Sequence, residues 1–300
     1  MGGCREENID TLMAALRDHK HCSTYNTSLI PRICAPEIRS HEMFTKIFNM
    51  KLAVPMFVAW TLTRLPLPPR LFTLLCALAV VALPAGLVVV QPDLGTAILI
   101  AIAGMAVIFL AGITWKMLIV VATLLAAAAP LVWNFLLRDY QQQRVLTMLD
   151  PWADPLGAGY HIVQSIIAVG AGGVGGKGWL AGSQSQLDFV PERSTDFIFA
   201  TYAEEFGFIG ALALLLLYLF IGLRGLVIAH YAADSYARLL AGGLALTFFV
   251  SVFVNIGMAV GILPVVGVPL PLLSHGGSSI ATLMIALGIL MSIHRQRSRL

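Results

Sequence analysis

The sequence predicts an all-α fold: a polytopic α-helical membrane protein with about seven transmembrane helices and one large external loop. Three observations lead there. Of 300 residues, 58% are hydrophobic and only 12% are charged, against about 25% charged in a soluble domain. The deficit is gathered into long apolar runs, so apolar side chains must face lipid as well as one another. The mean hydropathy of +0.83 reflects the same runs, and Lys and Arg collect at one end of them.

Residues 1–49 read as a polar leader of unknown origin. They are mixed in charge, carry Pro31 and Pro36, and contain no apolar window long enough to cross a bilayer. No apolar stretch of a signal peptide follows the early charges, and Glu6 of MGGCRE stands where N-myristoylation needs a hydroxyl residue. Cys4, Cys22 and Cys34 lie here near His19, His21 and His41, but without the C-x-x-C spacing of a zinc site.

From Met50 the character changes, and residues 50–300 read as one transmembrane domain. Crossing about 30 Å of hydrocarbon takes about 20 apolar residues at a rise of about 1.5 Å. That measure predicts helices near 47–63, 71–90, 95–113, 117–137, 197–223, 237–262 and 276–293, the first of them short.

Orientation follows from the basic residues of the short loops. Arg64, Arg70, Lys116, Arg224, Arg238 and the terminal Arg295, Arg297 and Arg299 fall on one side, predicted cytoplasmic. The opposite connections, QPDLGT at 91–96 and GILPVVGVPLPLLSHGG at 261–277, contain no Lys or Arg. The segment 138–196 is then external, since a loop of that length translocates largely regardless of its charges. The basic residues form no stripe, so no nucleic-acid partner is expected. Glycine and proline punctuate this same side, in GAGGVGGKGWLAG at 170–182 and PVVGVPLPLL at 264–273. Irregular backbone at membrane depth survives only against protein or a watery cavity, so a cavity is expected there.

The polar residues on that side include Asp93, Arg144, Gln164, Lys177, Arg193, Asp196, Asn255, Ser274 and His275. Asp93 follows Pro92 at a helix start and reads equally as a cap. Lys177 in the glycine-rich loop is a candidate to meet an anionic substrate. Glu204 and Glu205 lie inside an apolar run, where a carboxylate needs a partner or a task. Adjacent on a helix, they project about 100° apart, so one should be buried against protein while the other lines a cavity or pairs with a basic group.

Asp196 stands out by position. In QSQLDFVPERSTDFIFATYAEEFGFIG it enters a membrane helix from a polar loop, where it can meet both water and a lipid-anchored substrate. Partial desolvation raises a carboxylate's basicity, and Arg193 nearby pulls the other way. Such a group suits a general base acting on a hydroxyl nucleophile; it suits an N-cap as well.

QPDLGT, DPLGAGYHIVQSIIAVGAGGVGGKGWLAGSQSQLDFVPERSTDFIFATYAEEFGFIG and NIGMAVGILPVVGVPLPLLSHGGSS together resemble the signatures of the SEDS family, nearer its rod-shape protein RodA than its division protein FtsW. The resemblance covers about 50–299. It implies a multi-pass glycosyltransferase of the bacterial inner (cytoplasmic) membrane, active on the external face. Such an enzyme polymerises lipid II into peptidoglycan strands during cell elongation, beside a class B penicillin-binding protein transpeptidase of the elongation complex. The Asp of TDFIFA, here Asp196, is the implied catalytic residue. Asp93 and Gln164 are implied cavity residues, and Lys51 matches the Lys of the family's KLAVP stretch.

The chain departs from the family pattern in places. Phe48 stands where a Glu usually precedes that Lys by three, Ser194 replaces the usual His before TD, and His275 replaces the usual Tyr of SYGGSS. Ten spans are usual in the family, so roughly the first three are expected to be missing here.

The reaction implied is attack by a sugar hydroxyl on an anomeric carbon whose leaving group is a lipid pyrophosphate. Asp196 would take the hydroxyl proton. Arg144, Lys177, Arg193 or a divalent cation such as Mg or Mn would meet the departing pyrophosphate. The donor is already activated, which accords with a sequence holding no P-loop or dinucleotide fingerprint. Two other readings fit a polar cavity with intramembrane glutamates: a flippase or transporter for lipid-linked precursors, and an inactive scaffold for a penicillin-binding protein.

Overall fold

A computed structural model describes residues 50–64, 71–90, 94–112, 139–154, 157, 159–187, 189 and 194–297, together with Ile119, Thr123 and Ala127. These belong to the compact unit Thr45–Leu300. The leader 1–49 and the body of the predicted span 117–137 lie outside them.

The described elements are all helical. They are α1 (Met50–Thr63), then α2 (Leu71–Val90), α3 (Leu94–Leu110), α4 (Asp139–Leu149), α5 (Tyr160–Ala171), α6 (Ser183–Gln186), α7 (Ile198–His230), α8 (Ser235–Ala259) and α9 (Gly277–Arg297). The helices α2, α7, α8 and α9 are long and apolar enough to cross a membrane; α1, α3 and α5 are shorter apolar helices.

The structure adds to the sequence reading at two places. The predicted span 197–223 runs on to His230, because Arg224 is a good helix former and the glycines around it pack rather than break the helix. The segment 138–196, read as one loop, contains α4, α5 and α6. A window of about 20 residues passes over the twelve of α5, whose buried Ile162, Ser165 and Ala168 recur every third residue on one face.

The long helices meet through small residues, as membrane helices do when close backbone approach must supply the attraction. α8 lies between α3 and α7. A methyl group on Gly243 would strike Val107 of α3, one on Gly242 would strike Leu110, and one on Gly222 of α7 would strike the Phe249 ring. One core joins Val58, Leu62, Val81, Ile100 and Val107 to Leu240 and Leu244. A second joins Phe199, Tyr218, Phe248 and Val252 to Leu270. The Tyr218 hydroxyl donates to the Pro271 carbonyl at 2.7 Å, so the loop between α8 and α9 is fastened to α7.

Near its start α7 is broken at Gly207, which adopts φ 67° and ψ −165°. In an unbroken helix the amides of residues 208 and 209 would reach the carbonyls of 204 and 205. Instead Phe208 donates to Gly173 at 2.9 Å and Ile209 to Val174 at 3.2 Å, while the freed carbonyls of Glu204 and Glu205 accept from Lys177 and Gly178, both at 3.0 Å. The glycine-rich loop is thus spliced into the helix, and every displaced backbone group finds a new partner. Contact this close excludes side chains: a methyl on Gly176 would strike the Glu205 carbonyl oxygen.

Candidate functional site

Asp196 lies in the turn before α7, whose N-cap is Phe197. The carboxylate is half-buried, and its Oδ2 lies 3.5 Å from where a side chain on Gly267 would begin. Gly267 has φ +68°, the left-handed region that glycine enters freely. One side of the carboxylate is therefore faced by bare backbone of the 264–273 loop.

That loop is tied to the Asp196 turn by side chains the sequence reading left in the general polar set. Asn255 of α8, with no exposed surface, donates from Nδ2 to the Asp196 carbonyl at 2.9 Å and to the Val268 carbonyl at 2.7 Å. Its Oδ1 is buried with no hydrogen-bond partner. Ser274 donates to the Thr195 carbonyl at 2.6 Å and accepts from the Leu270 amide at 2.7 Å. The His275 amide donates to the Ser194 carbonyl at 2.8 Å. Consecutive carbonyls 194, 195 and 196 are thus each held by α8 or by the loop that follows it. An amide in the last turns of an apolar helix, where an unsatisfied polar group is expensive, was the available signal for Asn255.

Arg144 of α4 reaches the same loop, its Nη1 donating to the Val265 carbonyl at 3.1 Å. It remains exposed, so a guanidinium and the Asp196 carboxylate flank one short stretch, Val265 to Gly267. His161 of α5 stacks against Phe197 with ring centroids 6.3 Å apart, and Ser165 donates to the Ala259 carbonyl at 2.7 Å, which seats α5 beside α8.

The remaining candidates part company with this group. Lys177 is engaged elsewhere: its Nζ lies 2.7 Å from Oε1 of the fully buried Glu204 and 2.7 Å from the Ser183 hydroxyl. The same Glu204 oxygen accepts the Gln184 amide at 2.9 Å. Glu205 is also buried, at 7% exposure. Gln164 is half-buried on α5 and Lys51 half-buried on α1. Asp93 and Arg193 lie outside the described residues. Among the described residues no group of three or more His, Cys, Asp or Glu could hold a metal ion.

A carboxylate with a bare-backbone face, its turn pinned on three successive carbonyls and an exposed guanidinium nearby, can accept a proton from a group presented along the loop while positive charge meets an anion. Residues 48–299 match the model of the FtsW, RodA and SpoVE family, described as cell cycle proteins. The chain is 56% identical over 250 residues to the peptidoglycan glycosyltransferase MrdB of Escherichia coli K12, covering 83% of this chain and 68% of that protein. It is 48% identical over 161 residues to the peptidoglycan glycosyltransferase RodA of Treponema pallidum, covering 54% of this chain and 37% of that one. Among solved structures, a chain of a peptidoglycan synthase complex that coordinates polymerization and crosslinking is similar with a TM-score of 0.70 at 36% identity, covering 84% of this chain and 70% of that one. The rod shape determining protein RodA of Thermus thermophilus gives 0.57 at 28% identity, covering 84% and 65%.

Proposed function

Because the chain belongs to the FtsW, RodA and SpoVE family, we propose that this multi-pass membrane protein is a peptidoglycan glycosyltransferase that polymerises lipid II, with Asp196 as its general base. The observation that best supports this reading is the Asp196 carboxylate, half-buried, immobilised through its backbone and faced by Gly267.

The acceptor hydroxyl is a poor nucleophile until its proton is taken. As Asp196 accepts that proton, the hydroxyl oxygen bonds the anomeric carbon of the donor, and the bond from that carbon to the lipid pyrophosphate breaks. Positioning of this kind is worth a large part of the barrier. Arg144, exposed beside Val265, is the described cation best placed for the pyrophosphate, whereas Lys177 is held by Glu204. A divalent cation, if used, would be held among the described residues by the Asp196 carboxylate and would offset the charge of the departing pyrophosphate. The site faces outward from the bacterial cytoplasmic membrane, where a class B penicillin-binding protein transpeptidase crosslinks the product.

The test is Asp196→Asn in reconstituted membranes supplied with purified lipid II and the partner. This substitution keeps shape and removes basicity, so folding should be retained and polymerisation lost. Normal polymer from a well-folded Asp196→Asn protein would overturn the assignment of Asp196 as base, whereas no polymer from the unsubstituted protein under the same conditions would favour a flippase or a scaffold.

A further inference from the structure

The glycine-rich loop 172–180 falls inside the segment read as one external loop, yet its surface is that of a lipid-facing element. We propose that it lies in the bilayer, at the hydrocarbon boundary on the Asp196 side, with Val174 and Trp179 in contact with acyl chains.

Depth is the first reason. The loop is hydrogen-bonded to Phe208 and Ile209 of α7, both more than 60% exposed on a membrane-crossing helix. From Ile209 to Arg224, the first charge met along the helix, the rise is about 23 Å, less than the hydrocarbon thickness of about 30 Å. With Arg224 at the far boundary, Ile209 sits about 7 Å inside the near one. Even with the far boundary at His230, where α7 ends, the rise is about 32 Å and Ile209 sits at the near boundary. Val174, bonded to Ile209, shares that depth.

Chemistry is the second. Val174 is 69% exposed and Trp179 71%, the Trp ring resting against Phe206 with centroids 5.8 Å apart. Tryptophan with an apolar neighbour is the side-chain pair of a membrane interface, and these two continue the apolar surface that Phe208 and Ile209 begin.

The polar groups give the third. Irregular backbone is tolerated at membrane depth only if protein satisfies it, and here the break at Gly207 does so: loop amides 177 and 178 and loop carbonyls 173 and 174 all bond to α7. The single charge in residues 170–182, Lys177, is neutralised by Glu204. A loop resting in water would need neither provision.

The experiment places a spin label at position 174 or 179 of the otherwise cysteine-free full chain, in liposomes of phosphatidylethanolamine and phosphatidylglycerol. Collision with oxygen, which concentrates in lipid, should exceed collision with a water-soluble nickel chelate at both positions, as at 208. At Ala153, exposed in the turn after α4, the order should reverse. As a check that avoids labelling, Trp179 is kept as the sole tryptophan and its emission should be quenched by brominated acyl chains. Nickel exceeding oxygen at either labelled loop position, or unquenched Trp179 emission, overturns the proposal.

Discussion

The Asn255 side chain is joined to Asp196 through the aspartate's backbone and not through its carboxylate: Asn255 Nδ2 donates at 2.9 Å to the Asp196 carbonyl oxygen. The same nitrogen holds the Val268 carbonyl, so one buried side chain sets the spacing between the Asp196 turn and the loop that faces its carboxylate.

Asn255→Ala removes the Nδ2 donor from the buried Val268 carbonyl and the part-buried Asp196 carbonyl, and losing the donor to a buried carbonyl costs about 1–3 kcal/mol. The expected outcome is a lower melting temperature and a larger loss in kcat than in KM for lipid II polymerisation. Asn255→Asp should be worse, because it turns an acceptor towards those carbonyls. Polymerisation rates and thermal unfolding in detergent check both.

Gly267→Ala meets one obstacle, a left-handed backbone costing about 1–2 kcal/mol for a residue with a side chain, and it sets a methyl group in ordinary van der Waals contact with Asp196 Oδ2 at 3.5 Å, covering that face of the carboxylate. Gly173→Ala supplies the comparison, since Gly173 has φ +57° and nothing within 4 Å. Both should destabilise similarly, whereas polymerisation should fall further in Gly267→Ala. Equal activity in the two would show that access to the carboxylate is not limiting.

Lys177→Met strands a buried carboxylate. A fully buried broken pair is worth about 3–5 kcal/mol, and because the Lys177 side chain is 31% exposed the expected loss is nearer 1–3 kcal/mol. Adding Glu204→Gln should return most of it. A double-mutant cycle on melting temperature reads the coupling.

Asp196→Glu moves the carboxylate by about 1 Å, and a misplacement of that size can lower a rate by about a hundredfold. A single-turnover assay with excess protein should show the loss in the chemical step, with substrate capture kept.

The proposed orientation predicts that a lone cysteine at Ala153 reacts with a membrane-impermeant maleimide in intact cells, and that one at Gln296, exposed at the C-terminal end of α9, reacts only after permeabilisation. The reverse pattern would invert the topology.

What was legible beforehand followed the physics of each signal. Apolar runs of about 20 residues marked α2, α8 and α9 to within a few positions, since hydrophobic length is a direct requirement of the bilayer. Asp196 was visible because a carboxylate at a membrane boundary is out of place in its own sequence. Asn255, Ser274 and Gly267 were not singled out, because their importance lies in which distant carbonyl or carboxylate they meet, and a linear chain does not show that. Lys177 and Glu204 are 27 residues apart, and only the splice at Gly207 brings them together.

That splice also has a kinetic meaning. The amides of Lys177, Gly178, Phe208 and Ile209 hold one another across two segments, so none can be exposed without withdrawing the loop from the helix. Segments joined in this way open as one cooperative unit. Their hydrogens should share a common protection factor, larger than those of residues 152–154 in the exposed turn, and a shortened or lengthened loop should release all four together.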